Sequence, residues 1–86
     1  HHAVVPNASD LKSDRDSDVR VKITVDQHGS VVCAKGTEGD TALFQRSEEA
    51  SRRWTFRPYL LNGNPIIVES SFVFHFHKGK ASVRFR

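Results

Sequence analysis

His75 and His77 stand two residues apart near the end of the chain, and Cys33 is the single cysteine among 86 residues. Two imidazoles at that spacing project to one face of a strand and could begin a transition-metal site. A third ligand is not evident, because His28 and Cys33 belong to another part of the chain and Arg84 is expected beside His75. The pair therefore reads as solvated strand histidines, and no metal is assigned. One cysteine excludes an internal disulfide framework and a cysteine-only metal site. With no activating pattern around it, Cys33 reads as a small buried residue. Glu48 and Glu49 are adjacent on an expected helix, point in different directions and cannot work as a paired acid and base. No glycine-rich phosphate loop, nucleophile elbow or His-Glu metal motif is present. The reading is of a non-enzyme, with no catalytic residue and no cofactor.

The elements that must position these side chains emerge from periodicity. Val19, Val21, Ile23 and Val25 alternate with Arg20, Lys22, Thr24 and Asp26, which predicts a half-buried strand. Gln27 to Ser30 supplies a turn around Gly29, and Val31 to Lys35 returns as the second strand of a hairpin. Asp40 is an expected N-cap for a helix from Thr41 to about Arg53, with Leu43, Ser47, Ala50 and Trp54 as its apolar or small stripe. Pro58 pushes Arg57 extended, and Asn62 to Pro65 is a second turn. Ile66 to His77 reads as the longest strand. Its core face carries Ile66, Val68, Ser70, Phe72, Phe74 and Phe76; its wetter face carries Ile67, Glu69, Ser71, Val73, His75 and His77. Lys78 to Lys80 turns into a short last strand with Ala81, Val83 and Phe85 inward.

The predicted fold class is thus α+β: a small antiparallel-rich sheet of three to four strands with one crossover helix on one face, in the order β-β-α-β-β. With the first strand central, the second and third flank it and run parallel to each other. Residues 1 to 17 read as a tag remnant and flexible leader, and residues 18 to 86 as one domain. His1 and His2 resemble the end of an affinity tag, so the chain reads as an excised fragment. No run approaches the ~18 apolar residues of a membrane span. Positive charge gathers at Arg46 to Arg57, where Glu48 and Glu49 dilute it, and at Lys78 to Arg86; without a basic stripe interleaved with aromatics, the net +3 speaks to solubility and no nucleic-acid partner is expected.

The most specific cluster is Trp54-x-Phe56-x-Pro58 followed by Asn62-Gly63-x-Pro65. Together with Val25-Asp26-x-x-Gly29, Val31, Leu43 and Ala50 in the helix, and Phe76 in the terminal strand, it resembles the C-terminal domain of the TonB family of energy transducers. The resemblance covers about Val19 to His77. A Tyr-Pro element common in that family is replaced here by Val5-Pro6, without the tyrosine. The resemblance implies a periplasmic module whose full-length protein is anchored in the inner membrane and coupled to motor proteins through a missing N-terminal part. It implies a partner too: an extended TonB-box peptide of an outer-membrane transporter, added as a strand to a sheet edge.

Strand arithmetic locates that edge. With Gly79-Lys80 as a two-residue turn, Phe76 pairs with Val83, His75 with Arg84 and Phe74 with Phe85, and the last strand covers only half of its partner. Ile66, Ile67, Val68, Glu69, Ser70, Ser71 and Phe72 are left as the expected peptide-binding edge, with Glu69 guarding it. The alternative is a self-associating module, either a strand-exchange homodimer or a signalling interaction module of a larger envelope protein.

Overall fold

Alternation in the first apolar run becomes β1 (Ser17–Val25), whose Val19, Val21, Ile23 and Val25 are all buried. The computed structural model describes residues 16–85. Of the expected leader, only Asp16 and Ser17 fall within that range, and Ser17 already opens β1. β1 is followed by β2 (Val31–Glu38), a 3₁₀ turn (Thr41–Leu43), α1 (Phe44–Arg52), β3 (Tyr59–Leu61), β4 (Asn64–Ile66), β5 (Val68–His77) and β6 (Lys80–Phe85). The main sheet has the order β2-β1-β5-β6 and is antiparallel throughout; β3 and β4 form a separate two-stranded sheet. β2 and β5 therefore both flank β1 and run parallel to each other, with α1 in the connection between them. The architecture is α+β, and the extra hairpin β3–β4 departs from the simple β-β-α-β-β order.

Asp40 caps the helical segment as expected, its side chain accepting from the Ala42 amide at 3.0 Å. The buried face of that segment runs through Leu43, Ser47 and Ser51, with Ala50 only half-buried. Ser47 and Ser51 are fully enclosed, but their hydroxyls donate to the carbonyls four residues earlier, at 2.9 and 2.8 Å. Small, internally satisfied side chains let the helix lie close on the sheet without orphaned polar groups. Trp54 closes the core, stacked on Phe74 at 5.6 Å between centroids and edge-on to Phe72 at 5.1 Å. Rings in these arrangements add about 0.5–1.5 kcal/mol per pair beyond the area they bury.

Three expectations are corrected by the structure. The strand expected over Ile66 to His77 is broken at Ile67: Ile66 pairs with Tyr59 in β4, while Val68 pairs with Val25. The last hairpin turns on Lys78-Gly79, both at positive φ (51° and 76°), the combination of a type I′ turn. His77 then pairs with Lys80, Phe76 with Ala81, His75 with Ser82, Phe74 with Val83, Val73 with Arg84 and Phe72 with Phe85. Each partner is two residues from the one expected, and a shift of two leaves every side chain on its original face. Cys33 is exposed rather than buried. A bulge lets Val31 pair with Val25 and Cys33 with Thr24, which sets Val32 aside and turns Cys33 to the wet face.

Candidate functional site

The open corner of the sheet lies where β5 begins. One side of β5 is paired with β1 along Val68 to Phe76; the other side is paired with β6 only from Phe72 to His77. Among the described residues no strand faces Val68, Glu69, Ser70 and Ser71 on that second side. Unpaired strand edges present backbone donors and acceptors to any extended chain.

A groove of about 560 Å³ adjoins this edge. Its floor is the core face of the sheet at this corner, Ile23 and Val25 from β1 with Val68, Ser70 and Phe72 from β5. Phe56, Arg57 and Tyr59 form the opposing wall, with Glu69 at the margin. The wall is positioned by the first hairpin turn. Phe56 donates its amide to the Gly29 carbonyl at 2.8 Å, and Ser30 bridges to Thr55. Gly29 sits at φ +86°, and a Cβ there would lie 1.8 Å from the Phe56 carbonyl oxygen. Only glycine combines that backbone conformation with so close an approach. Asp26 secures the same turn by accepting from the amides of Ser30 (3.0 Å) and His28 (2.9 Å), and these bonds, Ser30 first, hold its carboxyl below its usual range.

Of the residues expected to form the peptide edge, Val68, Glu69, Ser70 and Ser71 are on the open edge. Phe72 is buried and already paired with Phe85, Ile67 is an exposed link, and Ile66 belongs to β4. The site is four residues long rather than seven. Glu69 is engaged across the strands, 3.3 Å from the Lys22 ammonium. The motif residues have structural places: Gly29 in the turn, Leu43 and Trp54 in the core, Ala50 and Phe56 packed against it, and Phe76 beneath the last hairpin. Pro58 leads from the groove wall into β3. Asn62 and Gly63, at φ 54° and 83°, make the β3–β4 turn, and Pro65 pairs with Leu60. Arg57 and Tyr59 are the groove residues that strand patterning did not reveal. Their only signal was position, immediately after an aromatic held against a glycine turn.

No protein-family model, curated protein or solved structure matches the chain. No helix among the described residues is long and apolar enough to cross a membrane.

Proposed function

We propose that the chain is a peptide-binding module that works by strand addition at Val68–Ser71. The carrying observation is the coincidence of an unpaired strand edge with an apolar groove beside it. A peptide laid along this edge gains main-chain hydrogen bonds from β5, and alternate side chains enter the groove between Phe72 and Tyr59. Arg57 on the groove wall favours a carboxylate on the peptide, since Glu69 is already occupied by Lys22.

The partner class comes from the motif resemblance. Trp54-x-Phe56-x-Pro58 with Asn62-Gly63-x-Pro65 supports a TonB-like periplasmic domain that grips the TonB-box segment of an outer-membrane transporter and couples inner-membrane energy to uptake. Titration with a synthetic peptide of such a transporter's N-terminal segment, followed by backbone amide shifts, tests both parts. Shifts concentrated at Val68–Ser71 with Phe56 and Tyr59 are expected. A saturated titration that leaves those amides unmoved rejects the reading. A second reading, self-association, is favoured by Tyr59, Leu60 and Leu61, which are 64%, 58% and 59% exposed on the β3–β4 hairpin. Mass measured over a range of concentrations decides it: a concentration-independent monomer excludes the homodimer.

A further inference from the structure

At the opposite end of β5 from the groove, one histidine is hydrogen-bonded to a carboxylate and a second lies beside another. The β1–β5 register sets Asp18 directly across from His75. The Nδ1 of His75 is hydrogen-bonded to Asp18 Oδ1, and the Nδ1 of His77 lies 3.4 Å from Asp16 Oδ2. Asp16 is itself fixed, because its Oδ1 accepts the Lys78 amide at 3.0 Å. An ionised carboxylate can only accept, so the bond to Asp18 puts a proton on His75 Nδ1 and leaves Nε2 as the ligating nitrogen of the neutral ring. The rings lie 5.8 Å apart between centroids at 24° to one another, and both side chains are about half exposed (44% and 54%).

We propose that His75 and His77 form a two-imidazole site for a divalent transition-metal ion, oriented by Asp18 and Asp16. Metal-ligating histidines almost always donate their second ring N–H to a carboxylate, carbonyl or water, which fixes the tautomer and raises the basicity of the ligating nitrogen. His75 has such a partner before any ion arrives, and Asp16 stands 3.4 Å from the Nδ1 of His77. Zinc–imidazole bonds of about 2.0–2.1 Å require the two Nε2 atoms to draw together, and half-exposed rings can tilt to do so. Among the described residues no group of three or more ligating side chains converges, so water completes the coordination shell and the site is open. Imidazole selects zinc, copper or nickel over magnesium and calcium.

The surrounding charges set the expected strength. Asp16 and Asp18 draw a cation in, while Lys80 stands across from His77 and Arg84 one pair beyond His75. Directly across from His75 is the neutral Ser82. Arg20, the next outward residue of β1, has its Nε 3.7 Å from Glu38, beyond hydrogen-bond reach. Lys80 is thus the nearest opposing charge across the β5–β6 pair.

Zinc titration followed by imidazole ¹H–¹⁵N correlation tests the site. Because His1 and His2 are a competing pair, the full chain carrying His1→Ala and His2→Ala is the background for every measurement. The expected result is joint movement of the His75 and His77 signals, saturating at one ion per chain, with His28 unmoved. His77→Gln should weaken zinc binding at least about tenfold, and Asp18→Asn by about 10–100-fold. Lys80→Ser should tighten it, an effect that a purely structural role for the histidines does not produce. Equal movement of His28, or zinc affinity unchanged in both Asp18→Asn and Lys80→Ser, overturns the proposal.

Discussion

Along β2, the helix reaches the outward-facing backbone. Glu48 accepts the Gly36 amide at 2.7 Å, and an Arg52 guanidinium nitrogen approaches the Ala34 carbonyl at 3.5 Å. Phe44 lies over Gly36 so closely that a Cβ there would come within 2.5 Å of its ring. Along the first four residues of β5 nothing described plays that part, and the flanking surface is a groove. Both are edges of one sheet, and both would attract a stray strand equally if backbone alone decided. The difference lies in the work of the intervening connection. Between β2 and β5 the chain first forms a helix that blocks one edge, then an extended wall from Phe56 to Tyr59 that stands off from the other. An edge left open beside an apolar groove, in a sheet whose β2 edge is covered by the helix, supports the proposed strand addition.

The comparison can be broken most severely at the turn that holds the wall in place. Gly29→Ala puts a side chain at φ +86° and against the Phe56 carbonyl. It should cost about 2–4 kcal/mol in denaturant unfolding and abolish peptide-induced shifts in whatever remains folded. Removing the guard from the closed edge comes next. Glu48→Ala leaves the Gly36 amide without its charged acceptor and should cost about 1.5–3 kcal/mol. It should also make the protein more prone to concentration-dependent association, measured by light scattering, because the β2 edge would then be open as well. Arg57→Glu sharpens the contrast from the other side: stability should stay within about 0.5 kcal/mol, while affinity for an acidic extended peptide falls by calorimetry. The smallest effect concerns Asp26. Its carboxyl is held below the usual range by the Ser30 and His28 amides, so its stabilising contribution is present above that range and is lost as pH falls through the folded-state value. Asp26→Asn should flatten the acid limb of the unfolding midpoint, and the two proteins should converge at the acid extreme.

Much of the fold was legible in the residues. Alternation over Val19 to Val25 and over Phe72 to Phe76 leaves one choice of buried face, because the side-chain period of a strand is two. Asp40 announces the helix start for a local reason, its own side chain meeting the Ala42 amide. The register of the last hairpin was not legible. Turning on Lys78-Gly79 or on Gly79-Lys80 buries the same side chains, so patterning is blind to the choice, and only the positive φ at Lys78 decides it. With the strand break at Ile67, that choice shortens the open edge from seven residues to four. The exposure of Cys33 is hidden from the pattern for a related reason: a bulge beside Val31 inverts the facing of the residues after it, and nothing in Val-Val-Cys-Ala marks it.

Local residue choices set β1, the start of the helical segment at Asp40, the core faces of β1 and β5, and the turns at Gly29 and Asn62-Gly63. Each of these depends on residues near one another in the chain, through period, φ preference or a side chain reaching its own backbone. Tertiary structure decided where the long apolar run is cut, since Ile66 pairs with Tyr59 and Val68 with Val25. It also decided that Glu48 guards an edge, that Phe56 to Tyr59 make a groove, and that Asp16 and Asp18 meet the two histidines. The Glu48 contact and the two aspartate–histidine contacts join residues 12 to 61 positions apart, and whether two such groups meet is fixed by strand register and helix placement, which depend on the chain packing as a whole.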